Sequence, residues 1–435
     1  MSANLSMAIG LSAQALQKII KQSIPLERAM PTDITDKETR AAVQSILYTA
    51  LRQHVKTDII IEKLASHSPA PAIEGILSVA LALLMNDEDP HTVVNESVKA
   101  AKASPETAHA AGFVNALLRN YMRNKGNITR NYAANLNVRY GVPGWWMARI
   151  RKAYPDQWRE ILTLQNSHAP LTLRINRAKI SVEDYLAMAQ KAGFNAYQVG
   201  QAAVVLEPPC RVEKIPGFTK GLCSVQDAGC QLVSQFLELK GGERVLDACA
   251  APGGKSAQLL EAADIDLTAM EIDPKRVTRI TETLERLGLK AKVVEGDATD
   301  FGLVKKYGPF DAIVLDAPCT ASGIVRRHPD IVWLRRPADI EKLADQQAKL
   351  LDSMWWVLPE GKSLLYIVCS IFPEEGPEQI KNFLARTPNA RLKTLPGLDS
   401  GMLSLLPTQK NKYDGGIIPS VHDGFFYALL TKVSA

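Results

Sequence analysis

Two cysteines and a line of carboxylates carry the chemistry legible in this chain. Cys319 stands in Asp316-Ala-Pro-Cys-Thr-Ala-Ser-Gly323, and Cys369 follows directly on the apolar run Ser363–Val368. Upstream, Val245-Leu-Asp-Ala-Cys-Ala-Ala-Pro-Gly-Gly-Lys255 reads as a strand tip, a tight turn and a helix start. Gly253 and Gly254 allow a ligand close to the backbone, where a helix N-terminus offers free N–H groups. Asp247 at the strand tip can meet an ammonium group such as that of a methionine moiety. Glu271 ends the next strand candidate, the place where an acid binds a ribose diol, and Asp297 in Glu-Gly-Asp-Ala can reach an adenine.

Thiols beside a methyl donor suit one difficult substrate. C5 of cytosine is a poor nucleophile, but a thiolate added to C6 turns the ring into an enamine that can attack a sulfonium methyl group. Asp316 would serve the N3 side of the ring. A second thiol can then remove the C5 proton so that the first is expelled. On chemistry alone either cysteine can attack, since Pro318-Cys319 also fits the Pro-Cys nucleophile of DNA cytosine-5 enzymes. A thiol of ordinary pKa, about 8.5, needs help to ionise, which a helix terminus or a nearby cation such as Arg326 or Arg327 would supply. A cytosine in a duplex must first be flipped out or presented in a loop.

Competing chemistries fit less well. Gly254-Lys255-Ser256 mimics the end of a Walker A loop, but Cys249 stands where that loop needs glycine, and no GxGxxG fingerprint is present. Six cysteines and seven histidines include no CxxC pair, which argues against zinc. Cys210, Cys223 and Cys230 read as buried thiols in a chain too long to need disulfide staples. His328, between Arg and Pro, reads as a structural or phosphate-facing loop residue.

The elements that position these residues fall into three blocks. Residues 1–135 read as an all-α bundle, with Val43, Ile46, Leu47, Ala50 and Leu51 on one helical face and Phe113, Val114, Leu117, Leu118 and Tyr121 on another. Residues 136–235 read as a small α+β connecting region. From 236 to 435 strands alternate with helices: Arg244–Asp247, Leu267–Glu271, Lys292–Val294, Phe310–Leu315 and Ser363–Val368, closed by Gly424–Lys432. That grammar predicts a doubly wound, Rossmann-like α/β domain whose ligand crevice lies beyond the carboxyl ends of the strands. Asp247, Glu271, Asp297, Asp316, Cys319 and Cys369 should therefore converge on one rim.

Net charge is only +5 over 435 residues. Its distribution says more, because Thr107 to Tyr154 contains no acid while Arg119, Arg123, Lys125, Arg130, Arg139, Arg149, Arg151 and Lys152 fall inside it. Tyr121, Tyr132, Tyr140, Trp145 and Trp146 are interleaved, so phosphate contacts and base stacking are expected there. Arg119, Arg123, Arg130, Arg149, Arg326 and Arg327 are the candidate RNA contacts. No stretch approaches the ~18 apolar residues of a membrane span, and the first residues lack a secretory signal, so a cytoplasmic location is expected.

The segments DACAAPGGK, DAPCTASGIVRRHPDI and YIVCSIFPEE resemble the bacterial RNA cytosine-5 methyltransferases of the Sun/Fmu group, which act on 16S ribosomal RNA. PHTVVNESV and AAGFVNALLR look like that group's NusB-like RNA-binding domain, and PLTLRINR like its connecting domain. The resemblance implies S-adenosylmethionine as cofactor, held by Cys249, Ala250, Ala251, Pro252, Gly253, Gly254, Lys255, Glu271, Asp297 and Asp316. It implies Cys369 as the nucleophile and Cys319 as the residue that assists proton removal and release. The expected partner is ribosomal RNA, with no membrane, no metal and a monomeric chain; tRNA as substrate, or a non-catalytic RNA-binding assembly factor, are the alternatives. Two departures stand out: Val368 precedes Cys369 where the group usually has Thr, and Glu271 stands where Asp is common.

Overall fold

The computed structural model describes residues 4–434 apart from Asp33, Ala133 and Asn411. The chain forms two compact units: one runs to Ser167 and includes Val325–Pro337, and the other comprises His168–Ile324 and everything from Ala338 on.

The first unit is helical. Its long helices are Leu5–Gln22, Lys37–Leu64, Pro71–Met85, Pro90–Lys102 and Ala111–Tyr132. Asn4, Asp36 and Asp89 cap three of them through side-chain oxygens that accept backbone N–H groups. Helix Pro71–Met85 is apolar on nearly every side and is buried from Gly75 to Leu84, as a central helix must be. Around it lie Ile9, Leu16, Val43, Leu47, Leu51, Val114 and Leu118. The shorter helices Leu136–Tyr140, Gly144–Ala153 and Trp158–Gln165 also belong to this unit, although their sequence reads as the start of the connecting region.

Val325–Pro337 joins the same unit through specific contacts. The Trp333 ring meets His54 edge-on at 4.8 Å and its Nε1 donates to Leu51 O at 3.2 Å. Asp330 Oδ2 accepts from Leu26 N at 3.0 Å, and Arg52 Nη2 donates to Arg326 O at 2.9 Å. A segment lying in sequence between Cys319 and Cys369 is thus part of the helical core.

The second unit opens with an antiparallel sheet of β1 (Leu171–Ile175), β2 (Asn195–Gln198), β3 (Ala203–Glu207) and β4 (Cys223–Val225), in the order β2-β3-β1-β4. Helix Val182–Lys191 buries Val182, Tyr185 and Ala189, which join Leu173, Ile175, Val204 and Leu206 in one core. The larger sheet contains β5 (Arg244–Asp247), β6 (Asp266–Glu271), β7 (Lys292–Glu295), β8 (Ala312–Asp316), β9 (Ser363–Val368), β10 (Ala390–Leu392), β11 (Met402–Leu405) and, past a small hairpin of β12 (Thr408–Gln409) and β13 (Val421–His422), the long β14 (Phe425–Lys432). Its order is β10-β14-β9-β8-β5-β6-β7, with β11 also paired to β14. β5 to β9 run parallel, and β14 lies antiparallel to β9. The strand order reverses between β5 and β8, which opens a crevice at their carboxyl ends.

Helix Pro274–Leu287 follows the sequence logic closely: Asp273 accepts from Lys275 N, Pro274 starts the first turn, and Gly288 ends the helix with φ +71°. The two sheets are fastened by Arg174 of β1. Its guanidinium grips both oxygens of Glu261 at 2.9 and 3.1 Å and donates to Gly254 O at 2.8 Å.

Candidate active site

The register of the parallel sheet builds the site. β8 pairs Asp316 with Ile367, so Cys369, two residues past Ile367, reaches the loop that carries Cys319. The two sulfurs lie 3.4 Å apart, both as free thiols. Cys319 is buried and Cys369 half-buried. The hydrogen bond with the Cys369 sulfur, reinforced by burial, pushes the Cys319 thiol well above its ordinary range.

Asp316 is held by Lys255, whose Nζ lies 2.5 Å from its Oδ2. Burial works most strongly against the Lys255 charge, but Asp316, Cys230 and Tyr427 together outweigh it and keep the ammonium well above its usual range. Asp247 lies at the tip of β5 and is 1% exposed. Ser256 Oγ donates to its Oδ2 at 2.6 Å, while its buried Oδ1 accepts no hydrogen bond from the described residues. Burial pushes this carboxyl up to about 6, against the pull of Ser256. Glu271, at the tip of β6, pairs with Arg276 at 3.2 Å and accepts from Asp273 N. Asp297 is exposed after β7 and folds its turn by accepting from Thr299 N.

Between Asp247 and Lys255 the chain turns through Gly253 with φ +93°, a left-handed conformation that strongly favours glycine. A side chain there would also press Ile280 Cα at 3.2 Å. Cys249 is inside this loop, and burial drives its thiol up, so it offers no thiolate. Of the residues expected on the rim, Asp247, Glu271 and Asp316 end β5, β6 and β8, Cys319 and Cys369 follow β8 and β9, and Asp297 follows β7; Lys255, in the first turn of the helix after β5, joins them through Asp316. Ile272, 62% exposed beside Glu271, adds an apolar surface that pattern reading overlooked because its neighbours look like a strand end.

Glu375 was also missed. It is 0% exposed and collects hydrogen bonds from Thr320 N, Thr320 Oγ1, Ser370 Oγ and Gln347 Nε2. Its signal in the sequence was slight, one of two acids in Phe-Pro-Glu-Glu after Cys369-Ser370.

The expected RNA contacts divide. Arg119, Arg123 and Arg130 are exposed on helix Ala111–Tyr132, and Arg149 and Arg327 are half-buried. Arg326 departs from expectation: at 1% exposure it lies inside the helical unit and presents no surface to a phosphate. Tyr121, Tyr140 and Trp146 are likewise core residues, with Trp146 Nε1 donating to Gln165 Oε1 at 3.0 Å, because one apolar helix face must be covered before any base can be. Arg119 instead lines a cavity of about 640 Å³ between helices Pro90–Lys102 and Ala111–Tyr132, with His91, Val94 and Lys102. Among the described residues no group of His, Cys, Asp or Glu could hold a metal ion, and no helix is long and apolar enough to cross a membrane.

Comparison with known proteins gives three family matches along the chain: NusB family over residues 7–123, an RsmF/B-like methyltransferase ferredoxin-like domain over 142–213, and 16S rRNA methyltransferase RsmB/F over 234–431. A curated relative, ribosomal RNA small subunit methyltransferase B of Salmonella paratyphi B, is 37% identical over 432 residues, covering 97% of this chain and 98% of its own. Among solved structures, PH0851 is 23% identical with TM-score 0.75, covering 98% of this chain and 99% of its own, and so shares the fold. A methyltransferase homolog from Pyrococcus horikoshii is 27% identical with TM-score 0.56, covering 68% of this chain and 97% of its own.

Proposed function

The chain belongs to the RsmB/F family of 16S rRNA methyltransferases, and from that premise we propose that it methylates C5 of a cytosine in 16S ribosomal RNA through a covalent bond from Cys369 to C6. The observation that carries this reading is the pair of thiols 3.4 Å apart beside Asp316.

The residues fit S-adenosylmethionine. The buried Asp247 Oδ1 accepts no hydrogen bond from the described residues, which suits the donor's ammonium group. Glu271 suits the ribose diol, Ile272 and Asp297 the adenine, and the turn at Gly253 lets the methionine portion lie against backbone N–H groups. Bound there, the cofactor supplies an electrophilic methyl group.

The protein's own groups account for the other steps. The Cys369 thiolate adds to C6, and the Asp316–Lys255 pair offers the hydrogen bond that N3 needs as negative charge reaches the ring. C5 then takes the methyl group. Bond formation at the Cys369 sulfur also removes the neighbour that kept Cys319 protonated. Cys319 can now lose its proton to solvent and, as thiolate, take the proton from C5. The C5–C6 double bond re-forms as the Cys369 thiolate leaves.

The test is transfer of a labelled methyl group from S-adenosylmethionine to deproteinised 16S RNA, followed by digestion to nucleosides. Label should appear in 5-methylcytidine. Label in another nucleoside, or none in any small-subunit RNA preparation, would sink the reading.

A further inference from the structure

Each working cysteine is followed by a hydroxyl residue, Cys319 by Thr320 and Cys369 by Ser370, and both hydroxyls converge on one carboxylate. Thr320 Oγ1 donates to Glu375 Oε2, and Ser370 Oγ donates to the same oxygen, each at 2.5 Å. Thr320 N donates to Oε1 at 2.8 Å, and Gln347 Nε2, from helix Pro337–Val357, donates there at 3.0 Å. That same Gln347 nitrogen also donates to Pro318 O at 3.0 Å, one residue before Cys319. The Glu375 backbone is fastened as well, since Tyr366 OH of β9 donates to its carbonyl at 2.8 Å. Ser322 Oγ lies 2.9 Å from Ser370 Oγ, and Gly323 N donates to Cys369 O at 3.0 Å, so the two loops also touch directly.

A carboxylate buried to 0% exposure is costly unless donors surround it. Among the described residues its donors are Thr320 and Ser370 of the two cysteine loops and Gln347 of the helix behind them. We propose that Glu375 is a positioning residue: it yokes the Cys319 and Cys369 loops so that the two sulfurs stay within proton-transfer reach of one another through the reaction. The inference rests on the two-thiol reading above.

Glu375 also acts on charge. Its carboxylate adds to the effects that hold the Cys319 proton, after the hydrogen bond with Cys369 and burial. Burial raises its own pKa, while Ser370 and Thr320 draw it down. The titratable groups that act on Cys319 are Cys369 and Glu375; Tyr366 of β9 in turn feels Cys319, Glu375 and Asp316, and the helix behind contributes the neutral Gln347. Removing the Glu375 charge should therefore make Cys319 easier to ionise, whereas a residue that merely filled space would leave it unchanged.

The experiment compares the full chain with Glu375→Gln, which keeps shape, and with Ser370→Ala, which cuts one arm of the yoke and leaves the carboxylate. For Glu375→Gln, kcat for methyl transfer to 16S RNA should fall about 10- to 100-fold, the scale expected when reacting groups are misplaced by about 1 Å, with KM for S-adenosylmethionine unchanged. Ser370→Ala should show a smaller loss in the same direction. In parallel, alkylation of Cys319 by iodoacetamide, followed by mass spectrometry from pH 7 to 11, should begin at lower pH in Glu375→Gln. An unchanged kcat, or an unchanged alkylation profile in both variants, overturns the proposal. The alkylation arm uses no RNA, so a shifted profile in a chain whose unaltered form makes no 5-methylcytidine would refute the function and leave the yoke standing.

Discussion

At the scale of single residues the site separates charges that look alike in sequence. Asp247 and Asp316 both end strands, yet Asp316 is met by an ammonium and Asp247 by a hydroxyl and burial. With its carboxyl raised to about 6 from 3.8, Asp247 is held protonated more firmly in the folded than in the unfolded chain. Its effect on stability is therefore unfavourable above that window, and it weakens the free protein as pH rises from the unfolded to the folded value. A bound cation reverses the preference and favours the carboxylate. Binding of S-adenosylmethionine, followed by calorimetry, should thus weaken about tenfold per pH unit below pH ~6, and Asp247→Asn should bind weakly with no such slope. A slope that survives in Asp247→Asn would reassign the group. The same scale resolves the unusual Val368: it is fully buried in the core with Leu315 and Tyr366, so a Thr hydroxyl at this position would meet the interior rather than RNA. Chemistry-bearing types at strand ends were readable, whereas Glu375 and Arg326 were not. Their burial is set by loops that meet only in three dimensions.

Among the elements, strands with continuous apolar runs were legible nearly to the residue: β5 and β9 match their expected bounds, and β6, β7 and β8 shift by no more than a strand end. The short strands β10 to β13 and the half-exposed β2 were not, because two to four residues carry no usable period. The most consequential contact between elements was also hidden. Arg174, in a segment that reads as a connecting strand, fixes the donor loop through Gly254 O and pairs with Glu261, the two side chains being 3% and 8% exposed. Arg174→Ala would leave Glu261 charged and buried without its partner. Chemical denaturation should show a loss of about 3–5 kcal/mol, accompanied by weaker donor binding. A loss below about 1 kcal/mol, the value of a surface pair, would mean that the pair is not the fastening between the two sheets.

For the whole molecule, the change from helical to strand–helix periodicity was readable, but the two compact units were not: the helices from Leu136 to Gln165 belong with the first unit, and so does a segment from far downstream. Val325–Pro337 leaves the catalytic fold after Gly323-Ile324 and is built into the helical unit through Trp333, Asp330 and Arg326. Nothing in a basic loop sequence distinguishes a phosphate-binding arm from a tether. A chain lacking residues 1–135 should therefore expose this segment and be cut by trypsin after Arg326, Arg327 or Arg335 under conditions where the full chain resists; equal resistance would contradict the packing. The central claim is the division of labour between the two thiols, and denaturing gel electrophoresis of enzyme with 16S RNA and S-adenosylmethionine tests it most directly. Cys319→Ala should accumulate a protein–RNA adduct that survives denaturation, because Cys369 can attack but is not released, while Cys369→Ala should neither methylate nor trap RNA. An adduct formed by Cys369→Ala and absent from Cys319→Ala would contradict the account.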